Sequence, residues 1–252
     1  MTQQVTFPEL LEERRKTFEQ KPELKLLYAM WAKEIRKEMA DGPSVELGSG
    51  TVPLQEFLPD VFFSDQSVCE LYSLACKTEN LPFLPNSVGN FIVFDVFHHL
   101  ADPVRFLQEA EKSLKPGGRI IVIDLAVTPF SYVFYNLQRK EKAILAEKDP
   151  YASNPVRALP MRGNSACVHL FFNRDRKRFQ ELFPNLKIAV NEKRDFICFP
   201  LFKGYEQKQK WLAKYFPILE KLEKYLKPFS GLLGMRTFLV LEKTKSIKKA
   251  DF

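Results

Sequence analysis

The chain is poor in the residues that build disulfide frameworks and metal centres. Its 252 residues include only four cysteines and three histidines. The cysteines form no C-x-x-C pair and the histidines lack the spacing of a zinc site, so reduced thiols and no metal are expected. No uncharged apolar run approaches the ~18 residues that a membrane span needs. The first residues lack a basic stretch followed by an apolar one, so we expect a cytoplasmic rather than a secreted protein.

The composition that remains is that of a folded globular chain. Hydrophobic residues make up 45% and charged residues 27%, and the length is enough for a sizeable core. The formal net charge of +7 favours acidic partners such as phosphates, nucleic acid or an anionic membrane. Part of that charge lies in the last residues, from Lys243 onward, where a solvated tail is the simpler explanation.

Helical and strand patterns alternate along the first half of the chain. Apolar residues recur at helical steps from Phe7 to about Ala40 and Pro22 divides them, which predicts two helices in a cap of residues 1–42. A short helix is expected at Leu54–Leu58 and another from Asp102-Pro103 to the turn Lys115-Pro116-Gly117-Gly118. Buried strands are expected at Val45–Leu47, Val61–Asp65, Phe91–Asp95 and Arg119–Asp124. The last two strands and the helix between them form a βαβ unit, which predicts a parallel sheet.

The pattern is less regular after Asp124. We expect helices at Pro129–Glu147 and Arg174–Phe183, strands at Leu186–Val190, Phe196–Phe199 and Arg236–Leu241, and a helical pair at 205–227 interrupted at Pro217. The chain then divides into the cap, a core of residues 43–200, and residues 201–252, which hold a helical addition, the last strand and a basic tail. No internal repeat is found in the sequence.

A glycine-rich turn follows the first predicted strand. Gly48-Ser49-Gly50 comes directly after Leu47, with the carboxylate of Glu46 beside it. Paired glycines let the backbone come close to a ligand, and a nucleotide-sized notch is typical at the end of a parallel strand. This turn alone is a weak signal, because many loops that bind nothing contain it.

Several motifs in order carry a family resemblance over about residues 43–125. They are Glu46-Leu47-Gly48-Ser49-Gly50-Thr51, Asp65, Leu81-Pro82-Phe83, Asp95-Val96-Phe97-His98-His99-Leu100 and Leu114-Lys115-Pro116-Gly117-Gly118-Arg119. Together they resemble class I S-adenosylmethionine-dependent methyltransferases of the type 11 group. The resemblance implies a Rossmann-like three-layer α/β sandwich whose sheet is mostly parallel, with an antiparallel strand near the C-terminus. It also implies S-adenosyl-L-methionine as the methyl donor.

The resemblance assigns donor-binding roles by position. Gly48, Ser49 and Gly50 would pass under the methionine part of the donor, with Glu46 near its ammonium group. Asp65 would accept the ribose hydroxyls, because a carboxylate takes two hydrogen bonds at once. Val52 stands where the family has a third glycine.

The same resemblance places the adenine and the transferred methyl group. Glu79, Asn80 and Leu81 stand where relatives hold adenine, although the usual acid that accepts the adenine amino group is missing from 77–80. Too few residues separate Asp65 from Leu81 for a helix and a full third strand, so a trimmed sheet edge is expected. Asp95, Val96 and His98 would lie beside the methyl group.

Two histidines are candidates for acid–base chemistry. His98 is the natural base for a hydroxyl acceptor, because imidazole titrates near neutrality; it is alternatively an ordinary residue of the family pattern that shapes the pocket. His169 either reaches the site from above or has a core or surface role. The Asn-Pro-Pro-Tyr type of motif is absent after the fourth strand. This absence argues against methylation of adenine, cytosine or glutamine amino groups.

The C-terminal segment leaves two interpretations open. Apolar residues and lysines alternate at helical spacing over 205–227, which suits peripheral contact with the inner face of a membrane or, equally, a lid with solvated lysines. We expect O-methylation of a small molecule, a lipid or a lipid-linked saccharide. The alternatives are an RNA methyltransferase, which positive charge without a nucleic-acid-binding module supports weakly, and a non-catalytic cofactor-binding regulator.

Overall fold

A single seven-stranded sheet organises the chain. The computed structural model describes residues 7–50, 53–66, 72–138, 141–159, 161–202 and 210–244. The strands are β1 Ser44–Leu47, β2 Val61–Asp65, β3 Leu74–Ala75, β4 Val88–Phe94, β5 Leu114–Leu125, β6 Leu186–Arg194 and β7 Arg236–Lys243. Their order is β3-β2-β1-β4-β5-β7-β6, parallel throughout except that β7 runs antiparallel to β5 and β6. The mostly parallel sheet with an antiparallel strand near the C-terminus is therefore confirmed.

Helices cover both faces of this sheet. They are α1 Phe7–Gln20, α2 Pro22–Glu38, α3 Pro103–Ser113, α4 Pro129–Gln138, α5 Cys167–His169, α6 Arg176–Leu182, α7 Cys198–Phe202, α8 Phe216–Leu226 and α9 Ser230–Leu233. One buried core joins the sheet to α3, α5 and α6, and a second joins its other face to α2, α4, α7 and α8. The result is the expected three-layer sandwich. None of the helices in the described residues combines the length and apolarity needed to cross a membrane.

The strand order reverses direction at β1, which lies between β2 and β4. All residues of β1 and β4 are buried, as expected for central strands covered on both faces. In open parallel sheets, ligands bind beyond the carboxyl ends of the strands at such a reversal. The glycine turn after β1 and the segment after β4 therefore meet at the edge of the sheet where a ligand is expected.

Two predicted elements are corrected by long-range contacts. The helix predicted at Pro129–Glu147 is observed over Pro129–Gln138; residues 141–147 are not helical, and Glu141 lies 3.0 Å from Nε2 of His99. The segment Phe196–Phe199 is the start of α7 and not a strand. The carboxylate of Glu223 accepts hydrogen bonds from the first backbone N–H groups there, at Ile197 (2.7 Å) and Cys198 (3.1 Å).

Other boundaries shift by a few residues. The strand predicted at Arg119 begins at Leu114, the helix predicted at Leu54–Leu58 is a 3-10 turn over Pro53–Glu56, and a helical stretch of residues 167–174 precedes α6. The trimmed sheet edge is present, since β3 has two residues. Pro217 lies in the first turn of α8. Val52, residues 203–209 and the tail from 245 lie outside the described residues.

Candidate active site

The glycine turn is held in a conformation that favours glycine. Gly48 and Gly50 have φ angles of +69° and +54°. A Cβ atom on Gly48 would lie 2.6 Å from Cγ2 of Val96, so the turn after β1 packs directly against the segment after β4. The backbone N–H of Ser49 donates to the carbonyl of Ser64 at 2.9 Å. The turn is thus fastened to both neighbouring strands.

Asp65 closes the other side of this turn. It is the last residue of β2, and its Oδ2 accepts a hydrogen bond from the backbone N–H of Gly50 at 3.2 Å. The hydroxyl of Tyr72 donates to the carbonyl of Gly50. The carboxylate predicted to hold a ribose therefore lies against the turn predicted to hold the methionine part.

Glu46 is buried, and one of its oxygens is unsatisfied. The residue is 3% exposed, and its Oε2 has no hydrogen-bond partner. Burial raises the pKa of Glu46 to about 8; a hydrogen bond with Ser49 opposes this, and the charge of Asp65 adds to it. A buried carboxyl group with an unpaired oxygen beside a glycine turn is well suited to receive a cation.

The predicted adenine residues have different environments. Leu81 is buried in the core. Glu79 is partly buried, with Oε2 accepting from the Thr78 hydroxyl at 3.1 Å, and Asn80 is exposed. Lys77 and Asn80 pair through a backbone bridge. The side chains of Glu79 and Asn80 thus stand in a short turn beside the trimmed edge of the sheet.

Asp95 is held by an arginine from the far end of the chain. Both of its carboxylate oxygens lie 2.9 Å from Nη1 of Arg236, the first residue of β7. Because β5 lies between β4 and β7, this guanidinium reaches across the end of β5, where it also donates to the carbonyl of Ile123 at 3.3 Å. Asp95 itself has a φ angle of +56°, which is uncommon for a residue with a side chain.

Aromatic rings surround that arginine. Arg236 is 1% exposed, and its guanidinium carbon lies 4.9, 5.0 and 4.9 Å from the ring centres of Trp31, Phe94 and Phe199. Cation–π contacts of this kind stabilise a desolvated charge. Sequence reasoning did not identify Arg236, because nothing in its local pattern separates it from an ordinary strand residue.

His98 belongs to a buried polar cluster. Its Nδ1 lies 2.7 Å from Asp124, and its Nε2 lies 3.7 Å from Glu141. Burial by itself would lower the pKa of His98, but Asp124 and then Glu141 outweigh it and raise the pKa to about 9. Burial, together with the charge of His98, lowers the pKa of the adjacent His99. Sequence reasoning named neither Asp124 nor Glu141, and the role of His98 as a base stays a prediction.

His169 lies in a different environment. It ends α5, and the side-chain amide of Asn173 lies 3.4 Å from its Nδ1. Burial lowers its pKa, and Lys193 and Arg174 add to this. These contacts are local to the helical stretch that contains it.

A cleft of about 270 Å³ lies between α2, β6 and α8 and reaches Arg236. At its inner end the buried carboxylate of Asp195 accepts a hydrogen bond from Nε1 of Trp31 at 2.8 Å, and burial raises its pKa. Burial, and then the charge of Asp195, raises the pKa of Glu223 to about 7. Glu223 can therefore take up a proton near neutral pH, and Asp195 holds a proton to a higher pH than an exposed carboxyl group does.

Comparisons with known proteins agree with this geometry. Residues 47–122 match the family model described as a methyltransferase domain. Residues 47–122 thus form a methyltransferase domain, and the chain is an S-adenosylmethionine-dependent methyltransferase. In its fold this methyltransferase is similar to a Thermotoga maritima structure described as a SAM-dependent methyltransferase, possible histamine N-methyltransferase. The two are 16% identical over 87% of this chain and 89% of that one, with a TM-score of 0.51.

A SAM-dependent methyltransferase from Archaeoglobus fulgidus is also similar to this methyltransferase. It is 13% identical over 87% of this chain and 93% of that one, with a TM-score of 0.49. No curated protein matches the chain.

The methyl donor of this methyltransferase is S-adenosylmethionine, and the residues at the sheet edge suit it. The unpaired Oε2 of Glu46 would receive the ammonium group, the turn Gly48–Gly50 would lie under the methionine part, and Asp65 would take the ribose hydroxyls. The donor supplies a methyl group already activated on a sulfonium. The chain's own residues therefore have mainly to align an acceptor and exclude water.

Proposed function

We propose that this methyltransferase transfers the methyl group to an oxygen atom of a small or lipid-borne acceptor that enters the cleft between α2 and α8. One observation carries the proposal: Arg236 lines that cleft and also holds Asp95 at the carboxyl end of β4. Asp95 is the residue predicted to lie beside the transferred methyl group. The Asp95–Arg236 pair therefore links the donor edge of the sheet to the cleft.

The lining of the cleft favours a small organic acceptor over a nucleic acid. Acidic and basic side chains are nearly equal in number there, and many of them neutralise one another. Arg194, for example, pairs at 2.9 Å with both Glu34 and Glu192. A groove for RNA needs unpaired cations that can replace phosphate counterions. This cleft instead combines apolar walls, such as Met30 and Trp31, with paired charges.

The same cleft contains groups that can receive the proton of a hydroxyl acceptor. Asp195 and Glu223 both line it, and burial raises the pKa of each. A carboxyl group with a pKa near the working pH is an effective general base. In this proposal a cleft carboxylate takes the hydroxyl proton while the oxygen attacks the methyl carbon, and the sulfonium leaves as a neutral thioether.

Incubation with isotopically labelled donor and a cell extract, followed by mass spectrometry, tests the proposal. We expect label in a small molecule or lipid, and none when Asp65→Ala removes the ribose contact. Label in the RNA fraction would instead make the protein an RNA methyltransferase. Donor that binds but never yields S-adenosylhomocysteine would make it a non-catalytic regulator. Calorimetry showing no donor binding by the intact protein would overturn the methyl-transfer proposal itself.

We also propose that the acceptor is presented at an anionic membrane, on its cytoplasmic face. Ile218, Leu222 and Tyr225 of α8 are 65%, 45% and 69% exposed. Phe229 and Leu232 extend the same stripe at three- and four-residue steps, with exposed fractions of 54% and 51%. Five large apolar side chains thus face outward in one row.

A second exposed apolar row lies beside the first. On α4, Phe130, Val133 and Leu137 are 44%, 56% and 79% exposed, and α4 packs against α9. Because α4 follows β5 and α9 precedes β7, both helices stand at the edge of the sheet that carries the site. A membrane in contact with these two helices would hold a lipid-borne methyl acceptor next to the site.

Lysines border the apolar rows and indicate the charge of that surface. Lys221, Lys224 and Lys227 are exposed on and just after α8, and the net charge of the chain is +7. Apolar side chains that insert between lipids, with lysines at the headgroups, are typical of interfacial helices. The charge complementarity supports an anionic lipid surface as the occupant.

A further inference from the structure

The turn after β4 carries two histidines that face one carboxylate. His98 and His99 end a 3-10 turn over Phe97–His99, and Glu141 follows α4. The Nε2 of His99 lies 3.0 Å from Oε1 of Glu141, and the Nε2 of His98 lies 3.7 Å from Oε2. One donor atom from each of these residues lies within 4.8 Å of the other two. Folding brings together groups that are far apart in the sequence.

Both imidazoles are oriented by their other nitrogen. The Nδ1 of His98 faces the carboxylate of Asp124 at 2.7 Å, and the Nδ1 of His99 faces the backbone carbonyl of Arg157 at 3.2 Å. Carboxylates and carbonyls only accept hydrogen bonds, so each Nδ1 carries a hydrogen. A bound cation would displace the protons from both Nε2 atoms, and each Nε2 would then present a lone pair to it. Such second partners are the usual support of metal-binding histidines.

The centre of this cluster contains a buried ring nitrogen that has no hydrogen-bond partner. His98 is 2% exposed, Glu141 is 5% exposed, and the Nε2 of His98 has no hydrogen-bond partner. A separation of 3.7 Å is too long for a hydrogen bond. It does suit two ligands that share an ion at about 2.0–2.2 Å from each. Charging both rings instead would place two cations side by side, since the ring centres are 4.2 Å apart.

The surrounding backbone is shaped to the cluster. A Cβ atom on Gly163 would lie 2.6 Å from Cδ2 of His98 and 3.0 Å from Nδ1 of His99. The N–H of Gly163 also donates to Oε1 of Glu141 at 3.3 Å. A glycine is therefore needed where this loop closes over the two rings.

We infer that His98, His99 and Glu141 form a binding site for a first-row divalent transition-metal ion, zinc foremost. Two imidazole nitrogens and one carboxylate are a common zinc ligand set, whereas magnesium and calcium prefer oxygen ligands alone. The ion would tie the segment after α4 to the turn that follows Asp95. In this role the ion is structural and fixes the position of the turn that borders the site.

Zinc binding by the full chain tests this inference. After chelator treatment and dialysis, we expect the protein to take up about one zinc per chain, measured by elemental analysis and by competition with a chromophoric chelator. Zinc at about a hundredfold above its dissociation constant should raise the melting temperature of the chain by roughly 5–10 °C.

Conservative variants separate metal ligation from folding. Glu141→Gln and His99→Asn should each weaken zinc binding at least about tenfold, and Asp124→Asn by about 10- to 100-fold through the ring orientation of His98. His169→Asn is the matched control, because His169 is the remaining histidine of the chain, and zinc binding should not change. Circular dichroism of each variant shows whether it is folded.

Two results would overturn the inference. One is an intact chain that takes up no zinc; the other is zinc binding that His169→Asn weakens as much as Glu141→Gln does. Cobalt substitution gives a readout independent of activity. Cobalt bound to the parent chain is expected to show the visible absorption bands of a low coordination number. These bands should be lost in His99→Asn.

Discussion

At the scale of single residues, Glu46 is predicted to meet the ammonium group of the donor, and burying its carboxyl group lowers the stability of the donor-free protein. Burial raises its pKa from 4.5 to about 8, so the folded protein holds a proton on Glu46 over a pH range in which the unfolded chain has released it. Between these two values, the contribution of Glu46 to the free energy of unfolding falls as the pH rises. An ammonium group placed beside the unpaired Oε2 would favour the charged carboxylate and so offset this loss of stability.

This predicts pH-dependent donor binding. The ammonium group of S-adenosylmethionine favours the charged form of Glu46, so binding of the donor releases a proton below about pH 8. The affinity for the donor should therefore rise roughly tenfold or more between about pH 6 and pH 8. Titration calorimetry in buffers of different ionisation enthalpy measures both quantities. No proton release, with pH-independent affinity, would show that Glu46 does not meet the ammonium group.

The variant Glu46→Gln is the matched comparison. It should weaken donor binding and remove its pH dependence. At about pH 8 it should also raise the melting temperature of the donor-free protein, by roughly 5 °C, because the buried group no longer has to ionise. A lower melting temperature at that pH would contradict the assignment of an unfavourable buried charge.

At the scale of elements, Arg236 joins strands that are not neighbours. It starts β7, reaches over the end of β5 and holds Asp95 beyond β4. Its three aromatic contacts come from α2, β4 and α7, so the cap and the core both pack on a guanidinium that the C-terminal segment supplies. The position of Asp95 thus depends on elements from both ends of the chain.

Arg236→Lys is expected to slow methyl transfer more than it weakens donor binding. Lysine keeps the charge but lacks the planar guanidinium that contacts the three rings and donates to both Asp95 and the carbonyl of Ile123. We expect kcat to fall at least about tenfold, with a change of less than about threefold in the donor dissociation constant and a loss of roughly 2 kcal/mol in stability. Steady-state kinetics on the acceptor found in extract, with calorimetry and denaturant unfolding, measure these effects.

Arg119→Lys provides the control for that change. Arg119 forms ion pairs with Glu38 and Glu242, both at 2.9 Å, near the opposite edge of the sheet. A small effect on both kcat and stability is expected there, because its ion pairs are partly exposed. Equal losses of kcat in the two variants would show that Arg236 acts only through stability.

At the scale of the whole molecule, the apolar rows on α4, α8 and α9 stand at the edge of the sheet that carries the site. Near the opposite edge, Leu84 in the loop before β4 is 76% exposed. Large contiguous exposed apolar patches on a folded protein usually mark a contact surface. Because the rows lie at this edge, a membrane that contacts them would place lipid-borne acceptors close to the site.

Vesicle sedimentation tests this surface. The chain should bind vesicles that contain phosphatidylglycerol and bind phosphatidylcholine vesicles more weakly, with binding reduced at high salt. The double variant Ile218→Ser, Tyr225→Ser should weaken binding at least about tenfold. Leu84→Ser, at the opposite edge, should leave it unchanged. Equal loss in both variants, or no vesicle binding at all, would contradict the membrane surface and leave methyl transfer to a small molecule untouched.

Local sequence patterns were sufficient for much of the fold and for the glycine turn after β1. The strand at Val61–Asp65 lies where its apolar run predicts it, and Pro103 with Asp102 begins α3 as expected, the Asp102 side chain accepting from the N–H of Arg105 at 2.8 Å. Buried parallel strands and capped helices are specified by residues close in sequence. For the same reason the turn at Gly48–Gly50 was found from the sequence.

The remaining features depend on residues that are distant in the chain. Residues 141–147, predicted as helix, instead bring Glu141 to His99, and Glu223 accepts hydrogen bonds from the N–H groups of Ile197 and Cys198 where α7 begins. Arg236 and Asp124 become site residues through partners on other elements. Short-range periodicity does not show which distant residues pair with a buried charge. A charge is buried only where such a partner offsets the cost of its desolvation. Sequence alone therefore identified the methyl donor, while the cluster of His98, His99 and Glu141, the cleft and the exposed apolar rows depend on packing between distant segments.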